Sequence, residues 1–420
     1  MTNPEKTSAE TTAPGSAVAW SPDQLAALDV LGTAFESGQR VLVLAGAAGV
    51  GKTLLTHEVT QRARARGWRV RYAAPTGKAV SRLREVLIAQ GNDERELITE
   101  TLHRLLYSKV VDDQTSEDLK FYGPKYQLER DDLLVVDEGS MVSVDLHREL
   151  MAQLPIGATV LYVGDREQLK PVKGDRWGPD FDRPTAVLTT VHRQAAGNPI
   201  IAAATYARLT GRLRAGPASA DEPYSTARGA SLGDASRWLV ERVDSDSILV
   251  TQTHAARRQL NDAARELRGF DGVLHRGDRL RIGQNIHEKR LYNGDVVVVA
   301  DGEFDDAGRV VRPESDPVVD IGVLTAAGRR RTISVDLDTI AGGQDAFKQA
   351  YPGFQRDVVF VDYGYAITVA SSQGSSWKNV GFVLDGMARW LHGKDPDALR
   401  RLVYTGMTRA SERLRIFLCP

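Results

Sequence analysis

Lys52 stands next to last in a run whose residue types and spacing could do phosphate chemistry: Gly46-Ala47-Ala48-Gly49-Val50-Gly51-Lys52-Thr53. This is the form G-x-x-x-x-G-K-[ST], placed after an apolar stretch and before a helical one. In such a loop the backbone N–H groups cradle phosphates, the lysine reaches the terminal phosphates, and the threonine hydroxyl holds Mg²⁺. By itself the loop says only that residues 46–53 bind a nucleotide. Two carboxylates follow in Val135-Val136-Asp137-Glu138. On a hydrophobic strand ending in this pair, Asp137 would hold Mg²⁺, usually through water, and Glu138 would orient and deprotonate the attacking water. The plainer alternative is an acidic cap between a strand and a helix.

Further polar groups could serve the same reaction. Gln168, in Gly164-Asp165-Arg166-Glu167-Gln168-Leu169-Lys170-Pro171-Val172, is placed to sense a γ-phosphate; read alone, the stretch is a polar surface loop. Arg193 in Val191-His192-Arg193-Gln194 and Arg409 in Tyr404-Thr405-Gly406-Met407-Thr408-Arg409-Ala410 lie far downstream. If they close onto the nucleotide from a second lobe, hydrolysis becomes motion. Unaided, either reads as a surface arginine. Gln24 has two readings. Its amide could read adenine edges, but a capping box explains it without any ligand.

These residues need elements to hold them. Ser21-Pro22-Asp23-Gln24 begins a helix with a capping serine and a first-turn proline, and Gly38 ends it. A strand over 41–45 enters the loop, and a helix runs from Lys52 to about Arg66. Strand-like 68–73, helical 77–90, and the apolar runs 133–136 and 159–163 continue the alternation. Strands alternating with helices predict a parallel sheet with ligands at the strand carboxyl ends. Residues 107–130 break the pattern and suggest an inserted β-hairpin. Residues 212–234, rich in Gly, Ala, Ser and Pro, read as a long loop. A strand over 248–251 and a helix over 255–267 start a second α/β unit. Between about 272 and 340 five short β runs, one of them over 309–312, suggest a small barrel. The α/β pattern then returns from Val358 to the end.

Composition sets bounds. A chain of 420 residues predicts two to four domains. With 54 basic and 55 acidic residues the net charge is −1. A nucleic-acid path must therefore be a local basic groove. The single cysteine, Cys419, excludes an internal disulfide framework and a cysteine zinc site, and fits a reducing cytoplasm. The longest apolar run, 41–50, is too short to cross a membrane. Residues 1–19 lack a signal-peptide pattern and read as a disordered tail.

The order of these motifs resembles superfamily 1 helicases, specifically their RecD-like and Dda-like 5′→3′ branch. The resemblance runs from about residue 20 to 418. Besides the residues above it rests on Ala74-Pro75-Thr76-Gly77-Lys78-Ala79, Thr101-Leu102-His103, Tyr292-Asn293-Gly294-Asp295, and Tyr365-Ala366-Ile367-Thr368-Val369 with Gln373-Gly374-Ser375. It implies an α/β fold of two RecA-like parallel-sheet lobes, with ATP between them and single-stranded DNA across their tops. A small β-hairpin inserts in lobe one and an SH3-like β domain in lobe two. The expected division is a tail over 1–19 and lobe one over 20–187 with the hairpin at 107–130. Lobe two follows over 188–272 and 346–420, with the SH3-like domain at 273–345.

The resemblance also assigns roles. Lys52, Glu138, Gln168, Arg193 and Arg409 would be catalytic, with the two arginines on the γ-phosphate. Gln24, Gln373 and Gly374 would join the loop in binding ATP, and Thr53 and Asp137 would hold Mg²⁺. Pro75, Thr76, Lys78, Thr101, His103 and Thr368 would hold DNA, mainly through groups suited to phosphates. Outside the motif, Lys78 and Arg82 read as a solvated helix face and His103 as a core histidine. The fifth motif departs from the family, which often has Thr-Val-His-Lys-Ser-Gln-Gly-Ser-Glu. Here it is Thr368-Val369-Ala370-Ser371-Ser372-Gln373-Gly374-Ser375-Ser376, without imidazole, ammonium or carboxylate. Trp377 and Lys378 are candidates to compensate, Trp377 by stacking on a base, although a tryptophan there is more often core.

The expectation is a DNA-stimulated ATPase, a cytoplasmic monomer in a bacterium or phage-infected host, that moves 5′→3′ on single-stranded DNA and separates duplexes in replication, recombination or repair. Its partners would be single-stranded and forked DNA, with single-strand-binding or replication proteins beside it, and no membrane. The competing readings are a translocase that strips proteins from DNA without useful unwinding, and a non-enzymatic DNA-binding subunit of a larger complex.

Overall fold

A computed structural model describes residues 20–95, 97–107, 128–171, 176–191, 197–242, 246–286, 288–352 and 357–420. The expected hairpin lies largely outside these residues, as do the tail, Arg193 and its neighbours His192 and Gln194. Among the described residues no helix is long and apolar enough to cross a membrane.

Lobe one opens with α1 (Pro22–Glu36), whose Ser21 and Gln24 form the capping box expected of them. Then come β1 (Val41–Gly46), α2 (Lys52–Ala65), β2 (Arg69–Ala74), α3 (Gly77–Ala89), β3 (Thr99–Thr101), α4 (Leu102–Leu106), β4 (Asp132–Val136), α5 (Val144–Gln153), β5 (Thr159–Gly164) and β6 (Ala186–Leu188). The strands form one sheet in the order β3-β2-β4-β5-β1-β6, parallel at every pair. The alternation of strand side chains divides the core in two. Leu42, Leu44, Leu133 and Val135 pack with Leu28, Leu31, Leu55 and Leu83 of α1–α3. Val43, Ala45, Leu134 and Val136 pack with Leu102, Leu105 and Leu150 of α4 and α5. Burial on both faces is why these strands read as continuous apolar runs.

Lobe two comprises α6 (Pro199–Thr210), β7 (Tyr224–Arg228), α7 (Leu232–Val240), β8 (Ser247–Thr251) and α8 (His254–Leu267). An antiparallel sheet then intervenes: β9 (Arg279–Ile282), β10 (Val296–Asp301), β11 (Val318–Thr325), β12 (Arg330–Asp336), α9 (Leu337–Ala350) and β13 (Val361–Tyr363). Lobe two resumes with β14 (Ala366–Thr368), α10 (Val369–Ser372), β15 (Trp377–Leu384), α11 (Gly386–Lys394), α12 (Pro396–Met407) and β16 (Ala410–Leu418). The second parallel sheet has the order β14-β8-β15-β16-β7, and the antiparallel one β12-β11-β10-β9-β13. A bridge between Ser334 and Val358 curls the antiparallel sheet toward closure. Its interior is continuous with one face of lobe two, where Leu280, Val297 and Ile333 join the cluster of Trp238, Leu249 and Phe417.

Three readings change. The expected loop over 212–234 contains the strand β7 and the start of α7. β7 is an edge strand paired only with β16, so one neighbour holds a segment of weak β composition. The run over 309–312 makes only isolated bridges, through Arg309 and Val310. The fifth strand of the antiparallel sheet, β13, comes from beyond residue 345 and hydrogen-bonds to β9.

Candidate active site between the two lobes

The phosphate loop joins the end of β1 to the start of α2. Gly49 and Gly51 have φ of 81° and 83°, in the left-handed region where glycine carries no Cβ penalty. The turn therefore needs glycine at both positions, and it aims the amino end of a 14-residue helix at the loop. Lys52 Nζ donates to the carbonyls of Gly46 and Ala47 at 2.8 and 2.9 Å. Gln24 is buried. Its Oε1 accepts from Ser21 N–H at 3.1 Å, and its Nε2 reaches the Val50 carbonyl at 3.5 Å. The capping box and contact with the loop thus hold together in one side chain.

Asp137 and Glu138 leave the carboxyl end of β4. Asp137 N–H donates to the Ala73 carbonyl, which fixes the strand exit. Burial, and then the Glu138 carboxylate beside it, push the Asp137 carboxyl up to about 6. Glu138 has φ 51° and ψ 36°, a left-handed conformation disfavoured for a residue with a side chain. After β5, Gln168 is buried and its Oε1 has no hydrogen-bond partner.

Arg409, which follows α12, faces these groups from lobe two and is only 5% exposed. Its guanidinium donates to the carbonyls of Thr405 and Ser375 at 2.9 and 3.1 Å and to Thr408 Oγ1 at 3.0 Å. Burial, opposed by Glu138 and other anions, lowers its pKa from the ordinary arginine value. Lys52, Thr53, Asp137, Glu138, Gln168, Gly374 and Arg409 line one cavity of about 240 Å³ between the lobes. Gln373 is not among the lining residues; its Nε2 donates to the Leu169 carbonyl of lobe one at 3.3 Å.

Five consecutive residues after β5 are each held by lobe two. Asp165 accepts from Tyr404 at 2.7 Å, Glu167 from Arg400 at 2.6 Å, and Leu169 N–H donates to Thr405 Oγ1 at 2.9 Å. Arg401 donates to the carbonyls of Arg166 and Gln168. The backbone around Gln168 is therefore clamped while its side-chain oxygen is left for another donor.

The residues expected to hold DNA fall on a second track. Thr76 follows the carboxyl end of β2, Thr101 and Thr368 end β3 and β14, and each caps the next helix, accepting from Ala79, Arg104 and Ser371 N–H. Pro75 is half-buried between β2 and that first cap, and His103 is exposed, not a core histidine. Lys78 is not on a solvated face. Its Nζ lies 4.4 Å from the centre of the Trp377 ring and 3.4 Å from the Gly294 carbonyl, and burial lowers its pKa to about 8. Arg82 donates to Ser376 at 2.7 Å. Trp377 is buried, so its ring is covered by lysine and is not presented to a base. The loop of the antiparallel sheet around Tyr292 closes this region, and a Cβ on Gly77 would fall 2.5 Å from the Tyr292 ring. Lys78, Arg82, Tyr292, Asp295, Ser376 and Trp377 line a cavity of about 300 Å³.

Tyr404, Thr405, Arg400 and Arg401 drew no role from the sequence. Tyr404 and Thr405 sit in the motif around Arg409, but nothing in their types says that they face the other lobe.

An AAA domain model matches residues 19–225, and a UvrD-like helicase C-terminal domain model matches residues 363–417. The chain is 32% identical to the ATP-dependent RecD2 DNA helicase of Deinococcus radiodurans over 417 residues, covering 94% of this chain and 48% of that protein. It is 28% identical to the RecBCD enzyme subunit RecD of Mycolicibacterium smegmatis, covering 90% and 68%. The chain thus spans about half the length of the first relative and about two thirds of the second. In fold it is similar to the Pif1 helicase from Bacteroides solved with ADP-AlF3 and single-stranded DNA. That likeness has a TM-score of 0.52 at 18% identity over 95% of this chain and 92% of the other.

Proposed function

Since the chain belongs to the P-loop helicases of superfamily 1B, we propose that it hydrolyses ATP between its two lobes and uses that cycle to move 5′→3′ along single-stranded DNA and separate duplexes. The processes it would serve are replication, recombination or repair. The observation that carries this reading is the single cavity lined by Lys52, Asp137, Glu138 and Gln168 from one lobe and Arg409 from the other. A buried arginine facing a phosphate loop across a cleft has the placement needed to stabilise charge on a transferring phosphoryl group.

In this mechanism the loop amides and Lys52 hold the phosphate chain, and Gln24 braces the loop from behind. Glu138 takes the proton of the attacking water. Gln168 orients that water through its unpartnered oxygen, which accepts from it, or reads the γ-phosphate through its amide N–H groups, and Arg409 meets the charge that develops. Arg193 would add a second cation. Thr53 and Asp137 fit Mg²⁺ as hard oxygen donors, and a cation would hold the Asp137 carboxyl in its charged form. When bound, the ion neutralises phosphate charge. Closure and reopening of the lobes move the threonine caps of lobe one against Thr368 of lobe two, so that grip on the DNA backbone alternates.

Strand displacement on duplexes with a 5′ tail, a 3′ tail or a fork, with ATP and Mg²⁺, tests the reading. Opening of 5′-tailed and forked substrates is expected; opening only from a 3′ tail would overturn the assigned direction.

A further inference from the structure

Tyr404 belongs to lobe two, and its ring packs in that lobe's core with Ile248, Phe382 and Met407. Its hydroxyl leaves the lobe. The oxygen accepts from Ala48 N–H of the phosphate loop at 2.9 Å, and the proton goes to Asp165 Oδ2 at 2.7 Å. The direction of both bonds is forced. A backbone amide can only donate, so the phenol must accept there, and its one proton is left for the carboxylate. Tyr404 is 1% exposed and Asp165 2%, so neither bond is shared with solvent. Burial, and then Asp165, hold the phenol well above its ordinary pKa, keeping the proton on the tyrosine. Asp165 accepts from Glu167 N–H through its other oxygen, at 2.9 Å. One hydroxyl therefore joins the phosphate loop, the loop after β5 and α12.

The same helix end carries Arg409. Thr405, next to Tyr404, accepts from Arg409 Nε through its carbonyl, and the Tyr404 carbonyl accepts from Thr408 N–H at 3.1 Å. We propose that Tyr404 is a positioning residue for hydrolysis: its hydroxyl sets lobe two in register on the phosphate loop, and the helical turn that follows transmits that register to Arg409. The proposal rests on the ATPase reading above and adds a residue that would touch neither water nor the γ-phosphate. Arg400, Arg401 and Thr405 hold the same loop after β5, but none of their bonds reaches residues 46–53. Tyr404 couples docking of the lobes to the cradle itself.

Tyr404→Phe keeps the ring in the core and removes only the hydroxyl. ADP affinity, single-turnover ATP hydrolysis with single-stranded DNA, and thermal midpoint are measured together. ADP affinity should stay within about twofold while hydrolysis slows about tenfold or more, the scale of one hydrogen bond to a charged group. Asp165→Ala, which removes the acceptor of the phenol proton, should slow hydrolysis on its own and add little when combined with Tyr404→Phe, because both changes break one link. A wild-type hydrolysis rate in Tyr404→Phe overturns the proposal. So does a loss shared equally between ADP affinity, rate and thermal midpoint, which would mark a packing role, and so do additive effects of the two changes. Absence of turnover that Lys52→Ala abolishes, in the unaltered protein, would overturn the ATPase reading itself and the positioning role with it.

Discussion

Glu138 holds its backbone in the left-handed region at φ 51°, and this aims a second carboxylate from the end of β4 into the cleft beside Asp137. Such conformations cost roughly 1–3 kcal/mol, so the surrounding fold must hold it there. Glu138→Gln keeps the shape and removes the carboxylate proposed as the base. It should bind ATP as the unaltered protein does and fail to hydrolyse it. Arg409→Ala should also keep nucleotide affinity and slow single-turnover hydrolysis by about 10³–10⁵-fold. Paired measurement of affinity and rate checks both, and near-normal turnover in Glu138→Gln would remove it as the base. At this scale the sequence was informative where spacing alone carries meaning. Residues 46–53 and Asp137-Glu138 were placed by their motifs, whereas Gln168 read alone as part of a polar surface loop. Arg409 was not legible by type, since an isolated arginine reads as surface, and its burial depends on Ser375 and Thr405 carbonyls supplied by the fold. Tyr404 was equally silent, because its partner Ala48 lies 356 positions away.

Helices and long strands were legible for local reasons: the capping box at Ser21, the glycine turn before Lys52, and apolar runs buried on both faces. The short strands β3, β6 and β7 were not. Each depends on a neighbour already in place, and the three-residue β3 and β6 have no period to detect. The hairpin expected over 107–130 falls largely outside the described residues. Contacts between elements were the least legible, and Gly77 is the clearest case. Its place at the start of α3 reads as a helix beginning, yet its missing Cβ is what lets the Tyr292 ring lie against α3. Gly77→Ala should therefore push the loop over 292–295 away and weaken the Lys78–Gly294 contact. Overpacking of this kind costs about 1–3 kcal/mol. Amide exchange should quicken in residues 292–295 while β1, β4 and β5 keep their protection. Unchanged exchange in that loop would show that the ring yields without releasing it.

With a net charge of −1 the whole molecule exerts no general pull on DNA, so the proposed DNA path would need a local source of attraction along the track between α3, the antiparallel sheet and Trp377. Lys78 makes that track sensitive to pH. Burial lowers its pKa to about 8, so it is charged below that pH and neutral above it. If DNA binding requires the ammonium, raising the pH from about 7 to 9 should weaken affinity for single-stranded DNA by about tenfold, the cost of supplying one proton. Lys78→Met should bind more weakly at the lower pH and lose that part of the pH dependence; equal pH dependence in the two proteins would exclude Lys78 from the contact. The antiparallel sheet over this track enters through β9 and leaves through β13, and these two strands are hydrogen-bonded neighbours, Leu280 opposite Tyr363. Arg257 and Arg281 both pair with Asp362 at this base, at 2.6 and 2.9 Å. The chain between them therefore leaves and re-enters lobe two through a doorway one strand spacing wide, about 4.8 Å. In evolutionary terms the sheet is a cassette with an anchored floor: its outer turns are free to change length, whereas Val297 and Ile333, which share the core of the lobe, are not free to change with them.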